Sequence, residues 1–259
     1  MTWAGGSFGP HECVLAANPG PMTLDGTNTW VLRSGERSLV VDPGPLDDAH
    51  LAAVAAAAGD VAGVLLTHHH LDHSAGAREL AERVGAPVRA LDPAYTLGAE
   101  GLHDGEVVAV GDLEVRVVAT PGHTRDSLSF YLPSDGAILT GDTVLGRGTT
   151  VVAHPDGALG AYLDSLDRLH ALAEAHEVEA IWPGHGPVIE RALPVLDYYI
   201  SHRRERLAQV ETALGRLDAT PASADPRQVV EIVYADVDRV LWGAAELSVR
   251  AQLAYLATR

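Results

Sequence analysis

No lysine occurs among the 259 residues: all 18 basic side chains are arginine. Chemistry through a lysine Schiff base is thereby excluded. Cysteine is nearly absent as well, Cys13 being the single one, so no internal disulfide can form and the composition fits a reducing compartment. No apolar run reaches the roughly 18 residues of a membrane-spanning helix, since the richest stretch, Leu51 to Leu66, is interrupted by Gly59, Asp60 and Gly63. Met1 to Pro10 carries neither the basic region nor the apolar stretch of an export signal. The expectation is a cytoplasmic protein with no membrane partner. Hydrophobic residues at 47% and charged residues at 20% exclude wholesale disorder.

Positive charge is scarce too. The formal net charge is −17, from 18 basic against 35 acidic side chains. Up to residue 199 there are 10 arginines against 27 acids, which is the whole −17, whereas residues 200–259 balance 8 against 8. A polyanion is repelled by the larger part unless bound cations or a local arginine patch reverse the field near the site.

Short apolar runs alternate with amphipathic ones over most of the chain. Thr29 to Leu32 and Ser38 to Val41 read as adjacent strands, the second ending on Asp42-Pro43-Gly44. Asp48 to Ala58 reads as a helix, Val61 to Thr67 as a buried strand, and Ser74 to Val84 as a helix capped by Ser74. Further strands are expected at Glu106 to Val110, Leu113 to Ala119, Leu128 to Leu132, Ala137 to Thr140 and Ala180 to Trp182, with a helix at Leu159 to Ala175. Hairpin-like pairs mixed with strand-to-helix crossovers imply helices packed outside two mixed sheets, an α+β class. From Val195 the pattern turns helical, over Val195 to Leu217, Pro226 to Val233 and Ala244 to Thr258.

Thr67-His68-His69-His70-Leu71-Asp72-His73 stands where the buried strand ends, and a loop there can aim several side chains at one point. Neutral imidazoles and a hard carboxylate oxygen suit zinc or a similar divalent ion. Three more candidates follow at strand-to-loop junctions: His123 in Thr-Pro-Gly-His-Thr, Asp142 in Thr-Gly-Asp, and His185 in Pro-Gly-His-Gly. A glycine beside each allows a sharp turn and a close backbone approach. Any one of these residues alone reads as a satisfied polar side chain or helix cap; seven in this order read as a metal site.

His68-x-His70-x-Asp72-His73 followed by His123, Asp142 and His185 resembles the metallo-beta-lactamase superfamily over roughly residues 25 to 190. The resemblance implies a four-layered αββα sandwich holding two divalent metal ions, zinc by default, with iron or manganese suited to similar ligands. It implies His68, His70 and His123 on one ion, Asp72, His73 and His185 on the other, and Asp142 bridging. Asp42 fits the superfamily's outer aspartate that orients the histidine loop, and His69 points away. Hydrolysis by a metal-bridging hydroxide is the implied reaction, with Asp72 as the catalytic carboxylate that orients the hydroxide and accepts its remaining proton.

Three further segments resemble the beta-lactamase-like protein 2 branch: Asn18 to Thr29, Gly146 to Thr150, and Tyr199 to Arg203. That branch adds a C-terminal winged-helix-like domain, so residues 1–195 are expected to form the catalytic domain and 196–259 a small helical one, whose wing is missing because the chain ends at Arg259. Branch members include single-strand-specific endoribonucleases, and similar fungal proteins are thioesterases, so the implied substrate is single-stranded RNA or a small ester or thioester. Ser127 stands where the ribonuclease members have histidine. A true beta-lactamase is disfavoured because Asp142 replaces a cysteine ligand, and a flavodiiron oxidoreductase because no flavodoxin-like domain follows. A nucleic-acid-binding regulator with a structural metal site is the alternative; the complete ligand set weighs against it, since structural zinc sites are closed by four ligands.

Four hydroxyl and amide side chains are candidates for substrate contact: Thr27, Asn28, Thr149 and Thr150. Each has a competing reading as a turn residue that bonds its own backbone. His154 and His202 read as surface or helix-packing residues. Arg203-Arg204-Glu205-Arg206 reads as a solvated helix face, because Glu205 and Glu211 compensate its charge.

Overall fold

A computed structural model describes residues 2–259. The first sheet contains β1 (Gly6–Phe8), β2 (His11–Leu15), β3 (Asn28–Ser34), β4 (Arg37–Val41), β5 (Asp60–Leu65) and β6 (Val88–Arg89), in that spatial order. Pairing is antiparallel up to β4 and parallel beyond it. Helices make the parallel returns, as parallel pairing requires: α1 (Asp48–Ala58) joins β4 to β5, and α2 (Leu71–Ser74) with α3 (Ala77–Val84) joins β5 to β6. The second sheet holds β7 (Val107–Val110), β8 (Leu113–Ala119), β9 (Leu128–Leu132), β10 (Ala137–Gly141) and β11 (Ala180–Pro183), in the order β11-β10-β9-β8-β7. Only β10 and β11 pair in parallel there, across α4 (Leu159–Ala175).

The strand period of two decides the layers. Trp30, Leu32, Leu39 and Val41 of the first sheet meet Val115, Val117, Phe130 and Leu139 of the second in one buried core. Trp30 and Trp182 stack across it, with centroids 4.8 Å apart and planes 14° from parallel. The intervening Val31 and Val40 face outward onto Leu51, Val54 and Leu80 of α1 and α3. Tyr131 and Ile138 likewise face Tyr162, Leu166 and Leu169 of α4. Each such side chain contributes roughly 1.5–3 kcal/mol on burial. The result is the four-layered αββα sandwich.

α5 (Ala192–Leu217) packs on α4 through Leu196 and Tyr199 and continues into the C-terminal unit. Its second half gathers Val210 and Leu214 with Val230 of α6 (Pro226–Val233) and Trp242 and Val249 of α7 (Trp242–Leu256) into a separate small core. No helix among the described residues is long and apolar enough to cross a membrane.

One expectation changes, and one hairpin goes beyond the expected elements. Ser74 does not cap a helix over residues 74–84; it ends α2, its hydroxyl donating to the His69 carbonyl at 2.8 Å, and Gly76 is the N-cap of α3. The break falls where the chain presses on the loop after β4, since a Cβ on Gly76 would lie 2.7 Å from Leu51 Cδ2 and 3.0 Å from the Pro45 carbonyl oxygen. The β1–β2 hairpin carries no clear strand pattern, because His11 is buried facing partners remote in sequence, with Asp135 3.0 Å from one ring nitrogen and the Arg33 amide 3.0 Å from the other.

Candidate metal centre

β4 and β5 run in parallel, as do β8, β10 and β11 in their own sheet. Their C-terminal ends therefore open at one rim, and the loops there deliver Asp42, the His68–His73 segment, His123, Asp142 and His185. Glycine makes two of the approaches possible. Gly122 adopts φ +138°, and a Cβ there would fall 2.3 Å from Tyr162 Cα; a Cβ on Gly184 would fall 2.7 Å from both Asp142 Oδ1 and His73 Cε1.

The structure brings all seven predicted ligands together, in two groups. His68, His70, His123 and Asp142 point donor atoms to within 4.8 Å of one another, and so do Asp72, His73 and His185. In the first group His70 Nδ1 lies 3.1 Å from His68 Nε2 and 3.1 Å from His123 Nε2. In the second, His73 Nε2 and His185 Nε2 are 3.2 Å apart, and Asp72 Oδ2 is 3.1 Å from His185 Nε2. Asp142 lies between them: Oδ1 is 3.4 Å from His73 Nε2, and Oδ2 is 3.4 Å from His185 Nε2 and 3.6 Å from His123 Nε2.

The far ring nitrogens assign the tautomers. Nδ1–H of His123 donates to the Val151 carbonyl at 2.7 Å, that of His185 to the Gly26 carbonyl at 3.0 Å, and that of His73 to Asp42 Oδ2 at 2.8 Å. Thr67 donates its hydroxyl to Asp42 Oδ2 at 2.6 Å, so His68 Nδ1–H donates to Thr67 Oγ1 at 2.9 Å. These imidazoles accordingly aim Nε2 lone pairs at one another. Lone pairs 3.2 Å apart repel unless a positive charge lies between them, and Asp142 Oδ1 is buried without a hydrogen-bond partner. The donor set thus fits divalent ions.

Set by the protein's own charges alone, titration puts a proton, in place of a metal's positive charge, on two of these histidines. Burial holds His68 well below the ordinary imidazole value, His70 down to about 4, and His123 below its ordinary value. Burial also opposes charge on His73 and His185, but Asp142, aided by Asp42 at His73 and by Asp72 at His185, overrides it and raises the first well above its usual value and the second to about 9. Burial pushes the Asp142 and Asp72 carboxyls up, yet the facing histidines pull both below the usual range.

Asp42 sits where the sequence places it, behind the ligands. It adopts φ +51°, and its carboxylate accepts from the Thr67 amide at 2.8 Å as well as from Thr67 Oγ1 and His73. His69 turns away to Asp126, 2.7 Å distant. Thr27 and Asn28 are fully buried, which removes them from substrate contact. Asn28 Nδ2 instead donates to the carbonyls of Pro183 and Gly186, both 2.9 Å away, and so ties down the His185 loop. Thr150 Oγ1 lies 3.1 Å from His123 Nδ1, and Thr149 and Thr150 both line a cavity that reaches His123 and Asp142. Ser127 is buried against Thr124, its Oγ 2.7 Å from Thr124 Oγ1.

The arginine run is no uniformly solvated face. Arg203 is buried, stacked 4.9 Å over Tyr162, and donates to the Thr150 carbonyl. Arg206 covers Tyr234 at 4.8 Å and donates to the Val233 carbonyl. Tyr199 and Arg203, four residues apart on α5, grip the loop beside His123; that spacing was the available signal, and charge compensation by Glu205 and Glu211 hid it.

The class that this fold and rim define is the metal-dependent hydrolases: the chain belongs to the metallo-beta-lactamase superfamily, which residues 22–185 match. Residues 226–259 match the beta-lactamase associated winged helix domain. Within the superfamily the chain is 33% identical over 235 residues to the beta-lactamase-like protein 2 homolog of Caenorhabditis elegans, covering 86% of this chain and 76% of that one. It is 37% identical over 209 residues to the atrochrysone carboxyl ACP thioesterase of Aspergillus fumigatus, covering 78% of this chain and 64% of that one. A metallo-beta-lactamase family protein from Thermus thermophilus superposes with a TM-score of 0.78 at 22% identity, over 97% of this chain and 94% of its own.

Proposed function

We propose that this chain is a dinuclear metal-dependent hydrolase of a small ester or thioester. His68, His70 and His123 would hold one ion, Asp72, His73 and His185 the other, and Asp142 would bridge them. The placement of the Asp142 carboxylate between two histidine groups carries this reading, because a single ion would leave one group of lone pairs facing unmatched. Zinc suits the donors, which are imidazole and carboxylate with no thiolate. Bound divalent ions supply Lewis acidity and lower the pKa of water toward neutrality.

The chain's own residues orient and exchange protons. Asp42, Thr67, Val151 and Gly26 fix the imidazole rings through their far nitrogens, so little reorganisation remains at the moment of reaction. Asp72 is the most exposed of the three site carboxylates, at 29% against 10% for Asp142 and 2% for Asp42. Being ionised at neutral pH, its free carboxylate oxygen accepts the proton of the attacking water. The thioesterase relative and the apolar cavity beside His123 support an acyl substrate.

The test is metal content together with turnover of an acyl thioester and of a labelled single-stranded RNA, each with and without chelator. Two ions per chain and chelator-sensitive thioester hydrolysis are expected, with Asp72→Asn, assayed under saturating metal, losing roughly 10²- to 10⁴-fold in rate. RNA cleavage without thioester hydrolysis overturns the substrate; nucleic-acid binding with no turnover of either overturns the enzyme.

A further inference from the structure

A cavity of about 310 Å³ opens beside the metal centre between the catalytic sandwich and the C-terminal helices. His123 and Asp142 are part of its lining. Leu24 and Leu145 line the sandwich side, and Leu241, the residue before α7, and Ala245 in its first turn line the other. Its volume is that of a small-ligand site, for which about 300–1,000 Å³ is typical. Because it is continuous with two candidate ligands, an occupant can reach the reacting centre from it without further rearrangement.

Several polar groups along the cavity are engaged by the protein itself, while Nε of the buried Arg203 keeps no partner. Arg203 and Arg206 donate to backbone carbonyls, and Arg147 is paired with Asp25. His202 stacks on Tyr198, and burial together with Arg203 and Arg206 lowers its pKa, so it is neutral at physiological pH. Met22, Leu24, Leu145, Val151, Val237 and Leu241 line it with apolar surface that matches a hydrocarbon chain.

We infer that this cavity is an acyl pocket: it takes the linear, uncharged acyl chain of the substrate and presents the carbonyl carbon beside His123 and Asp142. The inference rests on the hydrolase reading and names its substrate class, a medium-chain acyl ester or thioester. The start of α7 thereby becomes a specificity element: Ala245 leaves room for the chain, and Leu241, just before the helix and 36% exposed, adds an apolar wall.

The experiment measures kcat/KM across straight-chain acyl thioesters from acetyl to dodecanoyl, and decanoate binding by calorimetry, for the full chain and two variants. The expected wild-type result is a rise of about fourfold per methylene, from about 0.8 kcal/mol for each buried CH₂, until the cavity is full. Ala245→Trp fills the space and Leu241→Glu sets a charge in the wall; both flatten the rise, and Leu241→Glu weakens decanoate binding at least tenfold. Leu241 is partly exposed, so its variant folds even if Ala245→Trp does not. Thioester turnover with no chain-length dependence, or unchanged slopes in a folded Leu241→Glu, overturns the acyl pocket and leaves the hydrolase standing. Decanoate binding that is sensitive to Leu241→Glu, without turnover of any thioester, upholds the pocket and overturns the hydrolase reading.

Discussion

Arg203 donates a hydrogen bond to the carbonyl oxygen of Thr150, and Thr150 in turn holds its hydroxyl 3.1 Å from Nδ1 of His123. Tyr199, one turn earlier on α5, accepts from the Leu145 amide at 2.9 Å and donates to the Gly148 carbonyl at 3.1 Å. A helix outside the sandwich thus anchors the loop that orients a candidate metal ligand. Arg203→Met should lower metal affinity roughly 10-fold, as loss of an outer partner does, and Arg203→Lys should restore part of it. Competition against a chromophoric chelator reads both.

Asp42 gathers three donors on one carboxylate. Asp42→Asn replaces an acceptor with an amide that faces donors, so metal affinity should fall roughly 10- to 100-fold. Stability should fall by about 1.5–3 kcal/mol, the worth of a hydrogen bond to a charged group. Titration with buffered zinc and urea unfolding measure the two separately.

Gly184→Ala tests how closely the loop must approach. The added methyl would lie 2.7 Å from Asp142 Oδ1 and from His73 Cε1. The expected protein keeps its circular dichroism spectrum and binds less than the full complement of metal; full metal content would show that the rim yields more easily than the distances imply.

His50 gives a pH dependence away from the ligands. It is buried in α1 with Nε2 2.9 Å from Thr29 Oγ1, and burial lowers its pKa despite the opposing influence of Asp47 and the Pro43 carbonyl. Its folded pKa therefore lies below the unfolded value of about 6.5. The stability tied to neutral His50 is complete above the unfolded value and is lost as the pH falls toward the folded one, where the unfolded chain binds the extra proton. As the pH falls from above to below the unfolded value of about 6.5, His50→Gln should lose unfolding free energy less steeply than the wild type under the same metal loading. Equal slopes in urea titrations would refute this.

Much of the sandwich was legible because its signals are local. Leu113–Ala119, Leu128–Leu132, Leu159–Ala175 and Pro226–Val233 lie where periodicity and turn residues place them. The β1–β2 hairpin was not legible, since its buried His11 is satisfied by Asp135 and Arg33 and not by near neighbours. The seven candidate ligands were visible through motif order and glycine spacing. Thr27 and Asn28 were misplaced because an exposed turn and a buried, fully bonded one have the same composition.

Residue order and composition were enough to set the chemistry: no lysine nucleophile, no disulfide, imidazoles and carboxylates spaced for metal, and strand and helix periods for two sheets with helices outside. Tertiary structure alone decided which nitrogen of each imidazole faces the centre, that Asp142 lies between the two groups, and that Arg203 serves the His123 loop instead of facing solvent. Spacing along the chain encodes which side chains share a face of one element. Orientation and burial depend on hydrogen bonds and packing between elements far apart in sequence, and those exist only once the rim has closed.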